Sequence, residues 1–316
     1  MVECKVCKEK FKDDPSLHRH LRAHKVLVVD YYHAYFPRKD FLTGDLIKFK
    51  NKDQYFTDDF NSRPNMKKWL DTISEEEAKN YCHTYIQKRI RKKGMTYALC
   101  EVEARSLMCP PIPYFQKVFE DYYHYVGTNF KLKHKYTKWP DDKSLKIKNV
   151  KSGFLKNMYS ICIDTREQKP LKFNLPVEVK TLSFGDYCSN QADKDKVYIE
   201  RKSITDFIGT MSGGYERFTK EVERAKADGS DLIVVVEESL TSCLSFNFLP
   251  YVSKKIKATP EYIFHNVRQL IQEYDNLHFL FVKGRPESSR VIEKILLYSS
   301  RFKGVDLQLA YDLKLL

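Results

Sequence analysis

Four acids and a lysine in the C-terminal half have the types and spacing for chemistry on phosphate. Asp164 and Glu167 lie in the run Ile163-Asp164-Thr165-Arg166-Glu167, Asp186 follows Gly185, and Glu200 and Lys202 stand two apart in Glu200-Arg201-Lys202. Side chains on a β-strand alternate with period two, so Glu200 and Lys202 share one face and Arg201 points to the other. A carboxylate and a cation on one face, with an aspartate at the end of a neighbouring strand, meet the needs of metal-assisted phosphodiester hydrolysis. Hard oxygen ligands hold Mg2+ or Mn2+ and the ion lowers the pKa of an attacking water. The ammonium orients that water or steadies the pentacovalent phosphate.

A second constellation opens the chain. Cys4, Cys7, His20 and His24 follow the spacing C-x2-C-x12-H-x3-H, with Phe11 and Leu17 where a C2H2 finger keeps its two apolar core residues. Two thiolates on a hairpin and two imidazoles a helical turn apart form a tetrahedral cage suited to a structural Zn2+. A unit this small cannot fold on burial alone, so the metal is expected to supply its folding energy. In C2H2 fingers the base-reading positions fall on Asp13, Ser16 and Arg19, of which only Arg19 is a typical guanine reader. Docking to a protein partner, or a purely structural role, stands beside sequence readout for this module. The other six cysteines are scattered and read as small core hydrophobes.

The elements that must position these groups are legible as patterns. Met158–Ile163, Val177–Tyr187 and Val197–Arg201 read as strands, and Asp231–Val236 and His278–Val282 as short buried apolar runs. Helical patterns fall at 203–211, 215–228, 260–275 and 287–300, the third opened by the cap Thr259 and by Pro260 at the first helical position. The alternation makes 158–316 an α/β domain. Upstream, Val26–Val29 reads as a short strand, and Ser74 with Glu77 caps a helix over 74–93 whose last turn carries Arg91, Lys92 and Lys93. Residues 26–130 form a mixed, partly helical segment with no catalytic signature, and 131–157 a lysine-rich linker or arm. Residues 131–151 hold eight lysines with Tyr136 and Trp139 interleaved. Lys131, Lys133, Lys135 and Lys138 are accordingly expected to contact nucleic-acid phosphates.

Composition agrees. Lys and Arg number 55 against 42 Asp and Glu, a formal charge of +13 and a pI near 9.1, which favours a polyanionic partner. No apolar run approaches the roughly 20 residues of a spanning helix, and the first ten residues lack a signal-peptide core. A soluble, intracellular protein is expected, in the nucleus or in the cytoplasm and nucleoid according to host.

The ordered runs IDTREQ, GDY and ERKSITD resemble the GDxnERKx3D signature of the XPF/Hef family of structure-specific nucleases, a branch of the restriction-endonuclease-like fold. The resemblance covers roughly 158–300. It implies that Asp164, Asp186 and Glu200 are metal ligands, that Lys202 is the catalytic lysine and that Glu167 is a further acid near the metal. It places Arg166, Arg201 and Asp206 in support of the site or on the scissile phosphate, and Gly213, Gly214 and Arg217 match the glycines and arginine that follow the motif. It also implies pairing through this module into a homodimer and a preference for branched, fork or flap DNA in replication, repair or recombination. Family members usually continue into helix-hairpin-helix repeats, whereas this sequence stops at Leu316. The expectation is thus a divalent-metal-dependent DNA endonuclease, with a turnover-free DNA-binding scaffold or a ribonuclease as alternatives.

Overall fold

A computed structural model describes residues 1–145 and 158–316, which divide into two compact units. Met1–Gly94 with Met108–Pro110 forms the first, and Met95–Leu107 with Pro111–Leu316 the second. The segment 26–130 is therefore not one body. Its long helix Glu75–Lys93 begins with the expected capping box of Ser74 and Glu77 and stops at Gly94, after which the chain enters the second unit, where Gln272 Oε1 accepts the backbone N–H groups of Thr96 and Tyr97.

In the first unit a short antiparallel hairpin, β1 (Val2–Glu3) and β2 (Lys10–Phe11), precedes the helix Asp14–His20. Val26–Val29 is not a strand: Leu27 is the N-cap of a helix over Val28–Tyr35. Four β-branched or apolar residues without a pairing partner carry little strand preference by themselves. Helical geometry instead sends Tyr31 and Tyr32 into a core shared with Cys4, Leu17, Leu21, Ile47 and Tyr55. The Tyr31 hydroxyl accepts the Lys5 N–H at 2.9 Å, tying this helix to the hairpin. The finger-like segment thus shares its apolar interior with the helices that follow it.

The second unit is built on a six-stranded mixed sheet in the order β4-β3-β5-β6-β7-β8. These strands are β3 (Ile161–Asp164), β4 (Val177–Lys180), β5 (Tyr187–Ser189), β6 (Val197–Lys202), β7 (Asp231–Val236) and β8 (Leu277–Phe281). β5 runs antiparallel to β3 and β6, and the remaining pairs are parallel. One face packs Ile161, Ile163, Tyr187, Ile199, Ile233 and Val235 against Val291, Ile292 and Ile295 of the helix Gly284–Leu297. On the other face the Phe207 ring meets those of Phe264, Phe279 and Phe281, bringing in the helices Ile204–Thr210 and Pro260–Glu273. This is the α/β class with a mixed sheet between helices that the pattern of elements indicated. The single strand expected over Val177–Tyr187 is two strands, because Gly185 turns the chain at φ 58° before β5 starts.

The lysine-rich run is not a free arm where it is described. Leu132, Lys135 and Tyr136 are buried, and Lys133 and Thr137 donate backbone N–H groups to Thr96 and Gly304. Lys135 contradicts the phosphate-contact reading: its Nζ donates to the carbonyls of Ile271, Tyr274 and Leu277 at 3.4, 2.8 and 2.5 Å. Those groups end the Pro260–Glu273 helix and begin β8, where otherwise unpaired carbonyls need a donor. Burial pushes the Lys135 amine down to about 8, opposed by the charges of the surrounding acids. Lys131, Lys133 and Lys138 remain exposed, and 146–157 lies outside the described residues.

Replacing Lys135 by Met should lower unfolding free energy by about 2–3 kcal/mol in urea melts, the cost of stranding carbonyls that accept from a charged donor. Lys133→Ala and Lys138→Ala should stay within about 0.5 kcal/mol of wild type. A Lys135→Met protein as stable as wild type would show that these carbonyls do not depend on the amine.

Candidate active site

The site begins where β3 ends, β5 begins and β6 passes between β5 and β7. Asp164 donates its N–H to the Asp186 carbonyl, and Asp186 donates its own to the carbonyl of Ile199. The turn that allows this needs glycine twice over. Gly185 has positive φ, and a Cβ there would meet the Ile199 carbonyl oxygen at 2.5 Å. With Asp186 pressed onto β6, its Oδ2 accepts the Arg201 N–H at 2.8 Å.

Glu200 and Lys202 share the face of β6 that carries Tyr198, as alternation requires, and their side chains pair at 2.7 Å. Both are largely withdrawn from water, and the Lys202 ammonium lies 5.7 Å from the centre of the Phe218 ring. Burial, then the Glu200 charge, pushes the Asp186 carboxyl up to about 7, against the Arg201 N–H and the Lys202 charge. Burial also raises Glu200, countered by Lys202 and reinforced by Glu221. Two partly buried carboxylates therefore face one ammonium, a local excess of negative charge that a hard divalent cation would neutralise.

Glu221 escaped the sequence reading. It lies on the helix Tyr215–Ala227, its Oε1 accepts the Gly185 N–H at 3.4 Å, and its charge acts on both Glu200 and Arg166. The available signal was helical spacing: Glu221 stands one position before buried Val222, three after buried Phe218 and four after Arg217.

Asp164 is at the site but its acceptor positions are taken. Oδ1 receives the N–H and Nε of Arg166 at 2.8 and 2.6 Å, and Oδ2 receives Arg166 Nη2 at 3.1 Å and the Leu182 N–H at 2.7 Å. A carboxylate offers about four lone-pair sites, and four donors fill them. Burial alone would raise this group, yet the Arg166 guanidinium and the two backbone donors hold it below the usual aspartate range. Among the described residues, Asp164, Asp186 and Glu200 do not form a cluster with one oxygen each within 4.8 Å of the others. In this arrangement Asp164 holds Arg166, whose side chain is 69% exposed.

Arg201 alternates to the opposite face of β6 and meets Glu167, whose charge also acts on Asp186 and Glu200. Arg201 Nε and Nη2 donate to Glu167 at 2.9–3.1 Å and Nη1 to Glu237 at 3.0 Å, while the Tyr187 hydroxyl donates to Glu167 at 3.3 Å. Burial opposes the Arg201 charge, but Glu167 and Glu237 outweigh it and hold the guanidinium firmly protonated. Glu167 also accepts the Lys169 N–H, so this cluster fastens the loop after β3 to the ends of β6 and β7. Asp206 sits in the first turn of its helix, where its carboxylate accepts the Ser203 hydroxyl at 2.7 Å. Arg217 is exposed on the Tyr215–Ala227 helix, beyond Gly213 and Gly214.

In the first unit the donor atoms of Cys4, Cys7, His20 and His24 all lie within 4.8 Å of one another. Cys7 Sγ and His24 Nε2 approach His20 Nε2 at 3.2 and 2.9 Å, close to the edges of a tetrahedron about one small cation. His20 Nδ1 stands 3.7 Å from a Glu9 carboxylate, the outer partner that orients a ligating imidazole. Asp13 caps its helix by accepting the Ser16 N–H at 2.9 Å, and Arg19 is exposed. The remaining six cysteines are buried.

These features agree with a comparison of the sequence with family models. Residues 163–295 match the ERCC4 domain. The matching segment takes up less than half of the chain and contains Asp164, Asp186, Glu200, Lys202 and Glu221. Among solved structures, the chain is similar to XPF from Aeropyrum pernix at 20% identity and a TM-score of 0.34, with 44% of this chain and 66% of that one covered. A structure of XPF from Aeropyrum pernix in complex with DNA matches at 20% identity and a TM-score of 0.34, with 45% of this chain and 65% of that one covered. Both matches span slightly less than two thirds of those chains. No curated protein matches the sequence. No helix among the described residues is long and apolar enough to cross a membrane.

A raised Asp186 pKa has a sign that can be tested without catalysis. The folded form binds a proton more tightly than the unfolded one, so stability is full below about pH 4 and is lost as pH climbs towards 7. In EDTA at pH 7.5, Asp186→Asn should melt about 3–6 °C above wild type, and the gain should shrink several-fold at pH 4.5. A variant that melts lower than wild type at pH 7.5 would show that Asp186 is not under electrostatic strain.

Proposed function

We propose that this protein is a divalent-metal-dependent DNA endonuclease, with Asp186, Glu200 and Lys202 as its hydrolytic unit. The observation that carries the reading is the pair of largely withdrawn carboxylates beside one largely withdrawn ammonium, at adjacent strand ends within the ERCC4-matching segment. Asp186 and Glu200 fit Mg2+ or Mn2+: both are oxygen donors, both are raised by burial, and one or two carboxylates with water and phosphate oxygens complete such a site. A bound ion would lower the pKa of the attacking water and offset charge on the phosphate. Lys202, which pairs with Glu200 in the structure, would hold a phosphate oxygen through its ammonium. Arg166, aimed by Asp164 and exposed, grips the neighbouring backbone phosphate. Arg201, Glu167 and Glu237 do not touch the reacting atoms and keep the strand ends in register. Asp206 supports the start of its helix, and Arg217 contacts the strand.

DNA as the polymer rests on the formal charge of +13 and on the ERCC4 match. Branched, fork or flap substrates in replication, repair or recombination, and pairing of two copies through the nuclease unit, belong to the same proposal. Cys4, Cys7, His20 and His24 hold a structural Zn2+ in it, with Arg19 free to reach nucleic acid and the finger available to a protein partner. Lys131, Lys133 and Lys138 add phosphate contacts.

Asp186→Asn and Glu200→Gln should each lower cleavage at least about 10^3-fold in Mg2+ or Mn2+, with DNA binding in EDTA kept or tightened as a charge facing phosphate is removed. Lys202→Ala should lose turnover while metal affinity, read by calorimetry, changes little. Assaying duplex, forked, flap and four-way DNA beside RNA decides the polymer, and wild-type rates in the two acid variants would overturn the assignment in favour of a binding scaffold. For the first unit, the purified protein should carry about one equivalent of zinc, the expected content of one Cys2His2 cage. Chelation or Cys4→Ser should remove it and lower the melting temperature, whereas zinc well below half an equivalent would reject the site.

A further inference from the structure

Beyond the end of β7, the chain makes a loop whose exposed residues the hydrolytic unit leaves unused. β7 pairs Val236 with Lys202, and Glu237 donates its N–H to the Lys202 carbonyl at 2.9 Å, so the loop departs beside the end of β6. It is a folded loop. Leu240, Cys243, Phe246 and Val252 are buried, and the N–H groups of Phe248, Leu249 and Val252 donate to the carbonyls of Ser245, Phe246 and Leu249. With those apolar residues anchored inside, the loop still turns two rings outward: Phe248 is 81% and Tyr251 60% exposed. The Tyr251 hydroxyl donates to the Glu238 carboxylate, which pins that ring to the residue following Glu237. Three exposed lysines, Lys254, Lys255 and Lys257, follow within six residues of Tyr251.

Two exposed rings followed within nine residues of Phe248 by three exposed lysines suit an occupant that is flat, apolar on its faces and anionic along its length. Unpaired nucleotides have that character. A duplex offers the lysines its phosphates but keeps its base faces stacked inside, whereas each base of a single strand presents a π-face to an aromatic side chain. We propose that Phe248 and Tyr251, with Lys254, Lys255 and Lys257, form a stacking platform for a single-stranded DNA segment at the end of the sheet where β6 and β7 stop. This rests on the nuclease reading for its placement, and it names the side chains that would receive an unpaired strand.

The test uses the full chain in EDTA, where nothing is cut, with a single-stranded oligonucleotide of about 16 nucleotides carrying 2-aminopurine and a blunt duplex of equal length. Wild type should quench the 2-aminopurine on binding, because stacking does so. Phe248→Ala should weaken single-strand binding by about 5- to 30-fold and abolish the quench, with duplex affinity changed less than about 2-fold. Phe248→Leu, which keeps apolar bulk without a ring, should behave as Ala does, and Phe248→Trp should restore both. Replacing the three lysines by Ala should weaken strand and duplex together and flatten the salt dependence of strand binding by about two units of slope. Wild-type single-strand affinity in Phe248→Ala, an equal loss on both DNAs, or a change in oligomeric mass with no change in DNA binding would each overturn the platform. Because binding is read without metal, the two readings separate. Cleavage by wild type with ring-independent binding removes the platform alone, and ring-dependent binding without cleavage in Mg2+ or Mn2+ removes the nuclease alone.

Discussion

Two carboxylates withdrawn from water on neighbouring strands repel one another, and much of the second unit's local construction follows from holding Asp186 and Glu200 there. Gly185 lets the chain turn tightly enough for Asp186 to lie against β6, a position that any Cβ would block at the Ile199 carbonyl. Lys202 supplies one compensating charge and Phe218 shields it from water, which strengthens its attraction to Glu200. Glu221 adds to the negative field instead of relieving it. Such a cluster is costly as a purely structural feature, the pattern expected where pKa values serve chemistry.

Strand alternation lets three consecutive residues perform two tasks. Glu200 and Lys202 face the buried acid, while Arg201 between them reaches the other side and joins Glu167, Glu237 and, through Glu167, Tyr187. That second cluster stitches the loop after β3 to β6 and β7, so the strand ends carrying Asp186 and Glu200 cannot drift apart. Asp164 plays a similar part on the first side: saturated with donors, it spends its charge on holding Arg166 in one orientation. The resemblance implies a ligand role for Asp164 and a place near the metal for Glu167; both accept from arginines, and the Glu167 charge acts on Asp186 and Glu200.

Buried polar groups elsewhere follow the same logic. Lys135 answers three carbonyls at a helix end, a neater use of a lysine inside a core than any surface charge could provide. In the first unit, the Cys and His cluster sits on the same apolar core as Tyr31, Tyr32 and Tyr55. A cation held there would brace that larger aromatic interior as well as a short hairpin.

Local rules carried far along this chain. The capping box at Ser74, the cap and proline at Thr259 and Pro260, and the placement of Glu200, Arg201 and Lys202 on alternate faces of β6 follow from short-range geometry, which neighbouring residues largely decide. The finger spacing and the ordered acids were readable for the same reason, since ligand and strand periodicities are fixed by backbone dimensions. Other features depended on partners distant in sequence. Val26–Val29 lacked a strand to pair with and yielded to a helix that buries Tyr31 and Tyr32. Val177–Tyr187 broke because Gly185 had to pass close to Ile199. Lys135 looked like its exposed neighbours until three carbonyls from residues 271–277 surrounded it, and Glu221 looked like a solvated helix charge until its helix packed over Gly185. Whether a charge faces water or another charge is decided by which elements meet, and only the tertiary structure brings them together.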